Sequence, residues 1–131
     1  MCIFCKIIEG ELPSSKVYED EHIVAILDIA QVTYGHTLVI PKKHCSDILD
    51  ADEETMIHIA KVLPKLTNQI VCNCKACGSH IISNQGAISG QTVDHLHFHI
   101  IPRYSEDDAI IVKFNETEKP ELSEVLKTIQ G

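Results

Sequence analysis

The sequence predicts an α+β domain built on a mainly antiparallel sheet, and three observations carry that prediction. Short stretches with strand character, "GHTLVIP", "SHIISN" and "HLHFHIIP", are spread along the chain. One long segment from Asp50 carries apolar residues at helical spacing. Strands and helices do not alternate with the regularity of βαβ units. The 131 residues are the size of one domain and enough to bury a single core.

Each element has its own signal. "FCKIIEGELPSS" reads as a short helix ended by Gly10 and Pro13. "KVYEDEHIVAILD" gives two strands around a turn at Glu19 to Glu21, and "GHTLVIP" a third, ended by Pro41. Asp50 with Glu53 forms a D-x-x-E capping pattern at the start of the long helix. Its core face is Met56, Ile59, Ala60, Leu63, Leu66 and Ile70, and Pro64 should kink or break it. "SHIISN" is a strand, "QGAISGQ" a glycine-bearing loop and "HLHFHIIP" a strand. A last strand is expected near Ile110 to Phe114. "KPELSEVLKTIQ" closes the chain as a helix, with Pro120 in its first turn.

Composition narrows the function. A net charge of −8 argues against a nucleic-acid polymer as main partner, because phosphate backbones call for a basic surface. A small nucleotide held by neutral donors stays compatible with it. No apolar run approaches the ~18 residues of a membrane helix, and "MCIFCKIIEGEL" lacks the apolar core of a signal peptide. The expected location is cytoplasmic, where the six cysteines are thiols or metal ligands in preference to disulfides.

The stretch "DHLHFHIIPR" places His95, His97 and His99 at alternate positions. On a strand, alternate side chains share a face, so the imidazoles would line one side and Leu96, Phe98 and Ile100 the other. One ion cannot take all three. His95 and His99 would stand ~13 Å apart at Cβ, and two imidazole arms with their metal bonds span only about 11 Å. Protonating two same-face neighbours ~7 Å apart costs ~2.4 kcal/mol at an effective dielectric of 20. At least one imidazole therefore stays neutral near pH 7, with a lone pair able to attack an electrophile such as phosphorus. Just upstream, "NQGAISGQTVDH" offers Gly86 and Gly90 for close backbone approach, with Asn84, Ser89 and Thr92 as neutral donors to an anion.

"DIAQVTYGHTLVIPKKH" together with "SGQTVDHLHFHIIPRY" resembles the histidine triad (HIT) proteins, specifically their Hint branch of nucleoside phosphoramidate hydrolases. The resemblance runs from Cys2 to Tyr104, which leaves residues 105–131 as a C-terminal strand and helix extension of the one domain, 1–131. It implies a five-stranded antiparallel sheet with a long helix and a C-terminal helix, and a homodimer whose two sheets become continuous. The implied substrates are purine nucleoside monophosphates with a leaving group on phosphorus, such as lysyl-linked AMP. His97 would be the nucleophile that carries the nucleotide, His99 would contact the phosphate, and His36 would fix the orientation and tautomer of His97. Thr92, where many members have serine, would act near the leaving group. The amides around Gly90 and Gln91 and the side chain of Asn84 would stabilise phosphoryl charge. Asp28 matches the ribose-binding position, and Ile3, Phe4, Ile7, Ile26 and Ile29 match the slot for the base.

Cys2 and Cys5 form a C-x2-C pair, a common half of a zinc site. In the bacterial-type members that the chain resembles, the histidine of "PKKH" and the first triad histidine complete it; these are His44 and His95. Such a closed tetrahedral zinc is structural, and no organic cofactor is implied. "CNCKACGSH" groups Cys72, Cys74, Cys77 and His80, either as connector thiols or as a second metal cluster. Two other functions share the histidine face. One is hydrolysis of dinucleoside polyphosphates or nucleotidyl transfer; the other is nucleotide sensing or scaffolding without turnover.

Overall fold

The computed structural model describes residues 2–131. The elements are α1 (Ile3–Ile8), β1 (Lys16–Glu19), β2 (Ile23–Leu27), β3 (Thr37–Pro41), α2 (Glu53–Asn73), β4 (Gly78–Ile82), a 3-10 turn (Ala87–Ser89), β5 (Phe98–Arg103) and α3 (Leu122–Gln130). The strands form one five-stranded sheet in the order β1-β2-β3-β5-β4, with every neighbouring pair antiparallel. The expected α+β class and five-stranded antiparallel sheet are observed.

Both faces of the central strands are covered, so β2 and β3 read as unbroken apolar runs, "IVAIL" and "TLVIP". Val24 pairs with Ile40 and Ile26 with Leu38, and these four pack with Phe4 and Ile7 of α1. Ala25 pairs with Val39 on the opposite face, where Ile59, Val62, Leu66 and Ile70 of α2 cover them. The register of β5 carries this division into the histidines. His99 pairs with Leu38 on the α1 face, while Phe98, opposite Val39, belongs to the α2 face. One face is thus sealed by a helix of 21 residues and the other by one of six. That imbalance leaves room on the α1 face for a cleft.

Several expectations shift. The cap of α2 is Asp52, whose side chain accepts from Thr55 N at 2.8 Å; Asp50 instead accepts from the amides of Ser46 and Asp47 and so closes the preceding turn. The buried stripe is Thr55, Ile59, Val62, Leu66 and Ile70, with Ala60 on the exposed side. The helix runs through Pro64, which stands on its solvent side. β5 begins only at Phe98, because the chain bends at Val93 to His95. Ile110 to Phe114 form no strand: Ile110 is half-buried, the rest of the segment is exposed, and no neighbouring strand is there to pair with among the described residues. Pro120 precedes α3, which is capped at Glu121.

Candidate functional site

The bend before β5 separates the first triad histidine from the other two. His95 is fully buried, and its Nε2–H donates to Pro41 O at 2.8 Å, so Nδ1 keeps its lone pair. That Nδ1 lies 3.3 Å from Cys2 Sγ, 3.5 Å from Cys5 Sγ and 3.1 Å from His44 Nδ1. His44 Nδ1 in turn stands 3.7 Å from Cys2 Sγ and 3.4 Å from Cys5 Sγ. A tetrahedral ion with Zn–S near 2.3 Å and Zn–N near 2.0–2.1 Å spaces its ligand atoms by roughly 3.3–3.7 Å. The four expected ligands converge at the spacing that zinc requires. The Pro41 carbonyl supplies the outer hydrogen bond that fixes the tautomer of a ligating histidine.

His97 and His99 face the cleft beside α1, with ring centroids 5.0 Å apart. The Nδ1–H of His97 donates to the backbone carbonyl of His95 at 2.7 Å, which leaves the lone pair on Nε2. The Phe4 ring meets the His97 ring edge-on at 5.0 Å, and Ser83 Oγ–H holds the His97 carbonyl at 2.9 Å. His36 takes a different partner from the expected one. Its Nε2 lies 2.9 Å from His99 Nδ1, so it orients His99, while the His95 carbonyl sets the tautomer of His97. Burial pushes the pKa of His36 down and that of His99 down to about 4, Asp28 opposing in each case. Asp28, at the end of β2, has Oδ1 on Ala30 N at 2.9 Å and Oδ2 3.6 Å from His36 Nε2.

The cleft encloses about 420 Å³. Ile3, Phe4, Ile7, Ile26 and Ile29 line it, Ile29 with its side chain otherwise exposed. Asp28, Thr92, His97 and His99 form its polar corner. Leu12, Leu38 and Val93 were not singled out from the sequence. Leu38 follows from register, being the cross-strand neighbour of His99; Leu12 and Val93 sit on loops and carry no periodic signal.

The glycine loop is arranged differently from an open nest. Gly90 N donates to Ala87 O and Gln91 N to Gly86 O, so both amides are engaged inside the turn. The Gln91 side chain ties the loop together, accepting from Gly86 N and donating to Ser46 O and Val93 O. Gly90 has φ of 96°, and a Cβ there would stand 3.5 Å from Asn84 Nδ2, so the loop turns closely over Asn84. Among the described residues, the next two amides, of Thr92 and Val93, have no hydrogen-bond partner, and both residues line the cleft.

The remaining cysteines do not gather. Cys72 Sγ–H points to Asn68 Oδ1, Cys77 Sγ–H to Tyr104 O, and His80 Nε2 accepts from Arg103. Cys74 packs into the core under Gly35. None of the six cysteines is in a disulfide. Among the described residues, no helix is long and apolar enough to cross a membrane.

Comparison with known proteins adds an independent line. The model of the HIT domain matches residues 9–106. A HIT-like protein of Methanocaldococcus jannaschii is 47% identical over 131 residues, covering 100% of both chains. The crystal structure of a HIT family protein from Bacillus anthracis superposes with a TM-score of 0.90 at 46% identity, covering 98% of this chain and 94% of that one. A zinc-bound histidine triad family protein from Mycobacterium smegmatis has a TM-score of 0.78 at 38% identity, covering 88% and 84%. A histidine triad nucleotide-binding protein from Candida albicans has a TM-score of 0.85 at 32% identity, covering 99% and 93%.

Proposed function

The chain belongs to the HIT domain family, and from that premise we propose that it is a nucleotide-binding hydrolase that cleaves purine nucleoside phosphoramidates through a covalent histidine–nucleotide intermediate. The observation that carries this reading is the state of His97. Its Nδ1–H is held by the His95 carbonyl, its Nε2 lone pair is left for the cleft, and Phe4 and Ser83 hold the ring in place. A mere binder has no use for a nucleophile oriented at the centre of the cleft.

In this mechanism the base lies against Ile3, Phe4, Ile7, Ile26 and Ile29, and Asp28 accepts from the ribose hydroxyls. The α-phosphoryl group sits against His97 and His99, where the amide and hydroxyl of Thr92 and the amide of Val93 receive its charge, with the Asn84 side chain as a further donor. His97 Nε2 attacks phosphorus and the P–N bond breaks. The leaving amine takes a proton delivered through Thr92 or the Nε2–H of His99. The intermediate is a cationic imidazole whose Nδ1–H strengthens its bond to the His95 carbonyl. Water then attacks phosphorus and returns a proton to the group that protonated the amine, the P–N bond to His97 breaks, and the electron pair returns to Nε2 with release of the monophosphate.

A zinc ion held by Cys2, Cys5, His44 and His95 supports this arrangement as a brace, since four protein ligands leave no open position for substrate. It would join α1 to the chain on either side of the sheet core. A homodimer is part of the same proposal: β4 stands at the sheet edge, where a second copy's sheet can continue it. The proposed setting is the cytoplasm.

The test uses adenosine phosphoramidate, a diadenosine polyphosphate and AMP with the wild type and His97→Ala. The wild type should release AMP from the phosphoramidate, the variant should lose this by orders of magnitude, and both should bind AMP. Equal turnover by the variant would remove the covalent mechanism, and faster cleavage of the polyphosphate would move the substrate class.

A further inference from the structure

Asp28, His36 and His99 make a second convergence of metal-ligating atoms, separate from the cysteine cluster. One ligand atom from each lies within 4.8 Å of the other two. His36 Nε2 stands 2.9 Å from His99 Nδ1 and 3.6 Å from Asp28 Oδ2. Ligand atoms that share one ion at bonds of about 2.0–2.1 Å stand roughly 2.9–3.4 Å apart. The two imidazoles already meet that spacing, and the carboxylate would have to close in from 3.6 Å on His36 Nε2. We infer that this trio is a second metal site, inside the cleft, for a divalent transition ion such as Co2+, Ni2+ or Zn2+.

Donor chemistry sets the class of ion. Two imidazoles and one carboxylate suit first-row transition ions, whereas Mg2+ and Ca2+ take oxygen ligands. Burial keeps both rings uncharged at neutral pH, so an ion need not displace a proton from an imidazolium. The shared hydrogen bond does require one rearrangement. His36 must present a lone pair at Nε2 and carry its hydrogen on Nδ1. That nitrogen accepts from Val32 N–H at a long 3.3 Å. The hydrogen can therefore move from Nε2 to Nδ1 at the cost of the Val32 bond, with the ion taking the place of the His36–His99 bond, and no proton leaves the protein. His99 binds through Nδ1 and keeps its hydrogen on Nε2.

The rest of the geometry holds the donors in place. Asp28 Oδ1 is anchored by Ala30 N at 2.9 Å, which leaves Oδ2 to face the histidines. His36 is only 2% exposed, while Asp28 and His99 line the cleft, so open coordination positions would face its interior. This differs from the cysteine cluster, which closes on four protein ligands. The ion and the ribose would contend for Asp28, a consequence that rests on the proposed nucleotide reading; the metal site itself does not.

The experiment takes the full chain carrying one zinc per chain, freed of excess zinc and kept reduced, and dialyses it against Co2+. Bound cobalt and zinc are then counted by elemental analysis. The wild type should hold one cobalt beyond its zinc. Asp28→Asn and His99→Asn should each bind that cobalt about 10–100-fold more weakly or worse. His97→Ala and the Cys72→Ser/Cys77→Ser double variant should keep it, which excludes the nucleophile and the exposed thiols as its ligands. A wild-type chain without cobalt beyond the zinc overturns the proposal. So does undiminished cobalt in Asp28→Asn and His99→Asn variants that retain their zinc and helix signal. Loss of the hydrolase reading with cobalt binding intact would leave this site standing.

Discussion

His99 titrates near pH 4 because burial disfavours its charged form, with the neighbouring His97 and His36 adding to the effect and Asp28 opposing it. In the unfolded chain the same ring takes its proton near pH 6.5. Between these two values the unfolded state binds more protons than the folded one, so stability drops as the pH falls through the window. The contribution is whole above about pH 6.5 and lost by about pH 4. His99→Asn removes the titrating group while keeping a polar partner for His36. Thermal melts of wild type and variant at pH 7 and pH 4.5 should show the wild type losing more; parallel losses would place the acid sensitivity elsewhere. Asp20 and Asp50 have depressed pKa values and act below this window, and Glu19, also depressed, reaches only its acid end. The alternation of the three histidines was legible in the sequence. The partner of His36 was not, because sequence spacing says nothing about which of two rings, two residues apart, a third will meet across a sheet.

Among the elements, the strands were the most legible, since β2 and β3 are continuous apolar runs bounded by turn residues. The start of β5 was misjudged because a period of two continues through Leu96 and His97 while the backbone there bends to deliver His95 to the sulfurs. The cap of α2 was misplaced for a similar reason. Asp50 and Asp52 are both acidic residues before the same helix, and only the fold decides which one reaches Thr55. Amide hydrogen exchange separates them: Asp52→Ala should deprotect Thr55 and cost about 1 kcal/mol, whereas Asp50→Ala should loosen Ser46 and Asp47 and leave Thr55 protected. α1 has its own weakness. At six residues it is far shorter than the roughly 12–15 that a free helix needs. Its attachment depends on Phe4 and Ile7 and, if zinc is resident, on Cys2 and Cys5. Treatment with a strong chelator should therefore weaken AMP binding and lower the melting temperature while most of the helical signal, which comes from α2, persists. Unchanged AMP affinity after complete zinc removal would show that the brace does not shape the cleft.

At the scale of the whole molecule, the sheet divides the labour: α2 covers one face for stability, and the thinly covered α1 face holds the candidate site. The chain beyond Tyr104 stands outside this division. Asp108 still belongs to the body, pairing with Arg103 and accepting from Tyr104 N at 2.8 Å. After it, residues 109–121 have no strand or helix of their own, and α3 buries none of its residues, with Leu122, Leu126 and Ile129 all exposed. The spacing of those three marks an amphipathic helix in the sequence, but periodicity cannot say whether the apolar side meets its own sheet. A stripe that packs on nothing within its chain adds little to that chain's stability, since burial is what makes an apolar side chain stabilising. A chain ending at Asp108 should accordingly unfold within about 0.5 kcal/mol of the full-length monomer in urea, as for changes made at an exposed surface. It should also retain its zinc and AMP binding. Sedimentation of both forms then interprets any larger loss. If the truncated chain is less stable and also fails to dimerise, the stripe of α3 packs on a second copy. If it is less stable but its association state is unchanged, the arm folds back on its own domain, and the independence of α3 argued here is wrong.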